Sequence, residues 1–457
     1  GDITLDKIIG GIQPGSLLVI LGHPGAGKTT FAAKVLYENI RALAIKTLYI
    51  SLAETHEKFI SNMKRLRIDF KELEHRGFFE FIHVPSIAAE DAIEFIMKTL
   101  SEKILSEGTK IAVIDSITPL LNVLGTSRGR AFLHAALYDL INASKGVLIL
   151  IADLPWGRES VELGGIEFIA DAVLVFKTRI ERGMLSRYIE IRKFRGAPIP
   201  LAEIPFAIIE GEGIRIFPIL PTEEIPPLST EKCYITKCRY LDEAWGGVPE
   251  GANISIVYPQ NANIPLTIFG LLAKLIIEND LRTAIISFEI PAEGLAQALK
   301  AASSIYNLNI EKLEKNIVLE KSFNPTTYSL QELTGLVLSH IERAKAELII
   351  IHGLETLYAI YPKELFMSIS YNVAQYLKKL GIIVIKLIEG DVSRVSEIVS
   401  YSDIVHSIVY LGDPASGYRI RHIIWKSVPR YLTKALIHDK PIVIDDDKLA
   451  LCFGEYR

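Results

Sequence analysis

Eight consecutive residues, Gly22-His23-Pro24-Gly25-Ala26-Gly27-Lys28-Thr29, hold the groups that a polyphosphate requires. Gly25 and Gly27 let the backbone approach a ligand with no Cβ in the way. When such a turn opens a helix, its N–H groups converge on one point and cradle phosphate oxygens. Lys28 then carries charge to the β- and γ-phosphates, and the Thr29 hydroxyl is a ligand for Mg²⁺. His23 to Thr30, with Pro24 and Ala26 between, is the expected cradle. A second feature lies 86 residues after Thr29 (115 − 29), where the apolar run Ile111 to Ile114 ends in Asp115. Ligands collect at the C-terminal edge of a parallel sheet, so Asp115 is expected to share the metal with Thr29.

These groups need a rigid frame, and the chain supplies its pattern. Leu17 to Leu21 is short and apolar enough for a buried strand before the loop, and Thr30 to Ile40 has helical composition without Gly or Pro. Strand patterns follow at Thr47 to Ser51, Phe78 to Val84, Lys110 to Asp115, Gly146 to Asp153, Ala172 to Phe176, Arg187 to Lys193 and Ile214 to Phe217. Helical patterns lie between several of them: Phe59, Met63 and Leu66 share one face, Ala88 to Leu105 reads as a helix, and Leu133, Leu137, Leu140 and Ile141 define another. The alternation predicts an α/β fold with a mainly parallel twisted sheet and helices on both faces. Late in this half, Lys193 and Arg195 stand two residues apart, so a strand would point both the same way. There they could stabilise charge on a transferring phosphoryl group.

On these residues the first half resembles a RecA-superfamily ATPase core, most closely the KaiC-like family. The shared segments are Leu5-Asp6 with Gly10-Gly11, the phosphate loop, Ile114-Asp115-Ser116, Ile166 to Asp171, Ile189 to Gly196 and Gly213 to Pro218. The resemblance implies ATP and Mg²⁺ as cofactors, a homo-oligomer in the form of a hexameric ring, and a late-strand Lys-x-Arg that reaches the γ-phosphate of the neighbouring subunit's nucleotide. Lys193 and Arg195 match that pair. Two departures bear on activity. The family has two adjacent water-activating glutamates after the second strand, and here the pair is Ala53-Glu54, so the resemblance leaves Glu54 alone as the candidate base and implies slow hydrolysis. The family's phospho-acceptor positions in its second half correspond here to Glu167 and Phe168, which cannot accept phosphate.

The second half repeats the first. Leu5-Asp6, Gly10-Gly11 and Gly15 return as Leu241-Asp242, Gly246-Gly247 and Gly251, an offset of 236 (247 − 11). That offset turns the phosphate loop into Tyr258-Pro-Gln-Asn-Ala-Asn-Ile264-Pro265, with Ile264 for the lysine and Pro265 for the metal-binding hydroxyl. Nothing there neutralises a phosphate, and proline has no N–H to offer. Asn tolerates positive φ, so the turn can outlast its chemistry. His352 stands where Asp115 stood and is expected to be a plain hydrogen-bonded histidine. Lys426 is the one cation retained from the late strand, with Ile424 near the lysine position. Ile442 to Asp447 is expected to be a strand and a solvated hairpin turn. Ser400 lies near the second-half acceptor position, but with no ATP site beside it autophosphorylation is not expected. The organisation is thus residues 1–221 as a RecA-like domain with an intact site, a Pro-rich linker at 222–230, and 231–457 as a second such domain with a degenerate one.

Composition limits the remaining choices. A formal net charge of −4 announces no nucleic-acid or membrane partner, and no apolar run reaches the roughly 18 residues of a membrane helix. Three cysteines in so long a chain suggest a reducing compartment, and no export leader opens the chain, so a cytoplasmic location is expected. Cys233 and Cys238, without a second Cys/His pair, do not suggest a metal site. The expected function is Mg²⁺-dependent ATP hydrolysis in the first domain, with a regulatory role through ring assembly and an unidentified protein partner. One alternative is a nucleotide-gated scaffold with little turnover. Another is a DNA-repair accessory factor, using Arg128, Arg130, Arg158 and Trp156 on loops, but ordinary surface arginines are the preferred reading there. No Asn/Thr-Lys-x-Asp base-reading motif supports a GTPase.

Overall fold

In a computed structural model, the described residues are 3–84, 89–120, 137–155, 169–196, 198–199, 201–217, 224–229, 232–413, 417–427 and 441–454. The chain forms two compact units, Gly1–Leu220 and Pro221–Arg457.

In the first unit nine strands form one sheet: β1 (Ser16–Gly22), β2 (Thr47–Ser51), β3 (Phe79–His83), β4 (Ile111–Asp115), β5 (Val147–Asp153), β6 (Ala172–Glu181), β7 (Met184–Phe194), β8 (Glu203–Ile209) and β9 (Gly213–Ile216). Their order is β3-β2-β4-β5-β1-β6-β7-β8-β9. The six strands from β3 to β6 are parallel, and the last three continue antiparallel. Every residue of β1 is buried, as a central strand covered on both faces must be. Alternate residues of β1 feed two apolar layers. Leu18 and Ile20 pack with Phe31 and Leu36 of the helix Lys28–Leu43, whereas Leu17 and Val19 pack with Ile96 and Leu100 on the other side. The helix expected over Ala88 to Leu105 ends at Ser101 and widens into a π-helical segment at Glu102–Ser106. β8 escaped the sequence pattern because Pro205 interrupts it, yet Tyr188 pairs with Pro205 in an antiparallel ladder.

The second unit has a two-stranded ribbon, β10 (Cys233–Tyr234) and β11 (Val248–Pro249), and an eight-stranded sheet. The sheet comprises β12 (Asn253–Tyr258), β13 (Thr283–Ser287), β14 (Ile317–Ser322), β15 (Leu348–His352), β16 (Ile383–Glu389), β17 (Ile404–Asp413), β18 (Gly417–Lys426) and β19 (Ile442–Asp445). The order β14-β13-β15-β16-β12-β17-β18-β19 reproduces the first sheet without its last strand. Even the irregularities repeat: the β6–β7 and β17–β18 pairs each carry a bulge, at Val173/Leu174 and at Val405/His406.

Three expectations are corrected here. The acidic triplet is no hairpin turn, since Asp445 ends β19 and the helix Asp446–Ala450 follows directly. The bulge register places Lys426, opposite Val405, where Lys193 lies opposite Val173, so Ile424 matches Ile191 rather than the lysine. Cys238 and Cys452 form a disulfide across 214 residues, against the reducing chemistry that the low cysteine count suggested. A count cannot show that the first helix and the last turn of a unit meet.

Candidate nucleotide site

The phosphate loop joins β1 to the helix Lys28–Leu43, whose N-cap Gly27 has a φ of 105°. Glycine is required at Gly22 by packing, since a Cβ there would lie 2.5 Å from the Phe176 carbonyl oxygen. The Lys28 amine is buried and folded back on its own loop. It donates to the carbonyls of Gly22 at 2.8 Å and His23 at 3.0 Å, and pairs with Asp153 at 2.9 Å. The His23 ring lies 3.1 Å from the Leu154 carbonyl through Nδ1. The remaining loop residues Pro24, Gly25 and Ala26 close the turn, with the Ala26 N–H donating to His23, and Thr29 and Thr30 lie in the first helical turn. The first N–H groups of a helix have no partner within it.

Thr29 and Asp115 come together although 86 residues separate them: the Thr29 hydroxyl donates to Asp115 Oδ2 at 2.7 Å. Tyr49, which sequence reasoning missed, donates to the same oxygen at 2.6 Å. Burial pushes the Asp115 carboxyl above its ordinary range, against the opposing bonds from Tyr49 and Thr29. Burial and the Asp115 charge together raise the Tyr49 phenol well above its usual value. A buried carboxylate beside a hydroxyl, both at the edge of a phosphate loop, is the oxygen donor set that a hard dication takes, so these residues fit Mg²⁺. Asp153 also went unassigned in sequence. The pairing Gly22↔Asp153 sets it beside the loop, where its N–H donates to Thr118 Oγ1 at 2.8 Å.

Glu54 sits in the bend after β2. Its N–H donates to Ser51 Oγ at 2.9 Å, and its carboxylate accepts from Asn62 at 2.8 Å. Partial burial raises its pKa, Lys58 opposes that, and the charge of Asp115 adds to it. A water-activating base gains from such a shift.

Lys193 and Arg195 are not brought to the phosphate loop of their own unit. β7 runs antiparallel to β1 and β6, so its C-terminal end reaches the opposite edge of the sheet. There the Arg195 N–H donates to the Asp171 carbonyl at 2.8 Å and its guanidinium pairs with the Asp171 carboxylate at 3.4 Å. That carboxylate also accepts from the N–H of Leu17, at the start of β1.

In the second unit the corresponding edge has different chemistry. Asn261 keeps the left-handed backbone of Gly25, with φ of 60° against 79°, but the helix begins only at Leu266, after Pro265. Tyr258 replaces Gly22, and the β12–β17 pairing stops at Val257↔Ser407, one step short of its counterpart Gly22↔Phe176. His352 is buried and hydrogen-bonded as expected, with the Tyr258 hydroxyl 2.9 Å from Nε2 and Ser287 Oγ 3.4 Å from Nδ1. Burial lowers its pKa. Oxygens of Glu289, Glu355 and Glu389 lie within 4.8 Å of one another. Burial pushes Glu355 up to about 7, and its Oε2 is buried with no hydrogen-bond partner among the described residues. Ser400 Oγ donates to the Glu397 carbonyl at 2.7 Å. The arginine-bearing loops at 125–130 and 156–164, and Glu167 and Phe168, lie outside the described residues.

No helix among the described residues is long and apolar enough to cross a membrane. A family model for the KaiC ATPase matches residues 3–220. The circadian clock protein KaiC2 of Synechocystis sp. is 23% identical, over 85% of this chain and 69% of its own length. The circadian clock oscillator proteins KaiC of Picosynechococcus sp. and Synechococcus elongatus are 25% and 24% identical, covering 82% and 81% of this chain and 73% and 72% of their own lengths. With an intact phosphate loop facing Asp115 in the matched half, residues 3–220 form a KaiC-like P-loop ATPase domain of the RecA superfamily, and the second unit repeats its strand order.

Proposed function

We propose that the first unit binds Mg·ATP and hydrolyses it slowly, and that the second does not bind nucleotide. The observation that carries this reading is the 2.7 Å contact between Thr29 and Asp115 beside a buried Lys28. When ATP enters, Lys28 leaves Asp153 for the β- and γ-phosphates, and the loop N–H groups of Gly25 to Thr30 take the remaining oxygens. Thr29 and Asp115 would hold Mg²⁺, which would offset the charge of the phosphates. Glu54 accepts the proton of the attacking water. Ala53 leaves that base without an adjacent glutamate, which supports slow turnover.

Lys193 and Arg195 sit at the sheet edge remote from Lys28, so they serve a site only in trans. This supports a homo-oligomer in which each copy lends its cations to the next, a ring by likeness to the family. Nucleotide-dependent assembly then gives a regulatory role to a protein with little turnover, with the second unit as the surface for a protein partner. A second reading, an ATP-gated scaffold, is favoured by Ala53 alone. DNA binding is not part of the proposal, nor is phosphorylation of Ser400. The test is phosphate release from the full chain. Lys28→Ala and Arg195→Ala each abolish it, and mixing the two variants restores it. Absence of turnover at every protein concentration overturns hydrolysis. Assembly by ATP that persists in Glu54→Gln then leaves the scaffold.

A further inference from the structure

The two sheets differ at one place far from either loop. Asn253 occupies the position of Leu17: Leu17 N–H donates to the Asp171 carboxylate and Asn253 N–H to that of Asp403, both at 2.9 Å. The register then equates Ser255 with Val19 and Lys386 with Leu150, and Ser402, just before Asp403, with Ala170. In the first unit all four side chains are apolar and buried; in the second all four are polar and buried. Three of them form one network, in which Lys386 Nζ donates to Ser402 Oγ at 2.8 Å and to the Ile398 carbonyl at 3.2 Å, and Ser402 meets Ser255 at 2.8 Å. Exchanging four core hydrophobes for polar groups costs stability unless each finds its partner.

Two partners are missing. Lys386 is 2% exposed, yet its hydrogen bonds go to neutral oxygens. Asp403, whose charge it feels, is held by Lys378 at 2.9 Å. The Tyr401 ring lies 4.3 Å from the amine, and Lys426 repels it. The Asn253 amide is 3% exposed, and its Oδ1 has no hydrogen-bond partner among the described residues. Both residues line a cavity of about 80 Å³ whose other walls include Leu333, Val337, Phe366 and Leu377.

We propose that this cavity binds a small aliphatic monocarboxylate, its head on Lys386 and the Asn253 amide and its tail among the leucines and Val337. A buried amine with no carboxylate hydrogen-bonded to it becomes, once protonated, the partner of an anion. The amide presents Nδ2 by rotating about its last bond, since its O and N are near-equivalent in shape. The volume is about half the roughly 150 Å³ that holds the six carbons of benzene, which suits a carboxylate of about three or four heavy atoms, the size of formate or acetate. Burial pushes Lys386 down to about 7, so pairing with a carboxylate at pH 8 draws a proton from solvent.

Acetate is the probe, titrated into the full chain. The expected result is shifts confined to methyls of Leu333, Val337 and Leu377 in carbon-13 spectra, with uptake of about one proton per acetate at pH 8 in calorimetry across buffers. Ethanol binds at least about tenfold more weakly, as does acetate to Lys386→Met. Restoring the first unit's residues together (Asn253→Leu, Ser255→Val, Lys386→Leu, Ser402→Ala) abolishes binding and raises the melting temperature, which separates loss of the site from loss of the fold. Equal binding of ethanol, no cavity shifts, or crystals soaked in acetate that show only water at Asn253 overturn the proposal.

Discussion

The two halves of this chain share a strand order and a bulge, yet only one keeps the groups that a triphosphate requires. At the C-terminal edge of the first sheet a buried cation, a hydroxyl and a carboxylate meet within hydrogen-bond range. At the same edge of the second, three glutamates crowd together and the helix starts past a proline. Architecture is therefore maintained by burial alone. Leu18 and Ile20 in one sheet, and Ile254 and Ile256 in the other, are all fully or almost fully buried. Ligand chemistry is a separate layer that changed without disturbing that frame.

The hardest test of this contrast is to remove the chemistry from one side and offer it to the other. Lys28→Ala should lower phosphate release by roughly a thousandfold, as loss of a preorganised charge contact does. Ile264→Lys, Pro265→Thr and His352→Asp, installed together, should still leave calorimetric stoichiometry at one ATP per chain, because Glu289, Glu355 and Glu389 repel phosphate. Two ATP per chain would mean that those three side chains were all the second site had lost. Next in size, Glu54→Gln should slow turnover about a hundredfold while ATP affinity stays near that of the parent.

Smaller effects sharpen the electrostatic part. Glu355 has its carboxyl pushed up to about 7 from 4.5, so the folded state keeps a proton that the unfolded state has released. Its contribution is thus lost as pH rises from 4.5 through 7. Glu355→Gln removes that loss and should raise the melting temperature of the second unit by about 4 °C at pH 8, and little at pH 4. Tyr49→Phe deletes one of two hydrogen bonds to Asp115. It should cost the first unit about 1–2 kcal/mol by thermal melt, with no effect on the second unit, where the matching Ile285 carries no hydroxyl.

Much of this was legible in the residues. The loop spacing and the apolar run before Asp115 located Thr29 and Asp115, because both follow from periodicity and one fixed motif. Tyr49 was hidden by the same periodicity, since a tyrosine in a strand reads as core and only the register Ser51↔Asp115 shows where its hydroxyl points. β8 was lost to Pro205, and the late-strand register to a bulge, which shifts every later residue by one. The Cys238–Cys452 bond and the polar quartet around Lys386 depend on contacts between distant segments, which no local pattern encodes.

One feature of the first sheet has a geometric consequence. Because Arg195 and Lys28 occupy opposite rims, a copy in the proposed trans arrangement gives with one side and receives with the other, the head-to-tail contact that closes a ring or continues as a filament. Such a chain has a direction. In an equal, randomly assorted mixture of Lys28→Ala and Arg195→Ala proteins, a working junction needs one particular neighbour order, which arises at about one junction in four. A site built within a single copy would recover no activity on mixing, so the recovered fraction reports whether neighbouring copies share a site.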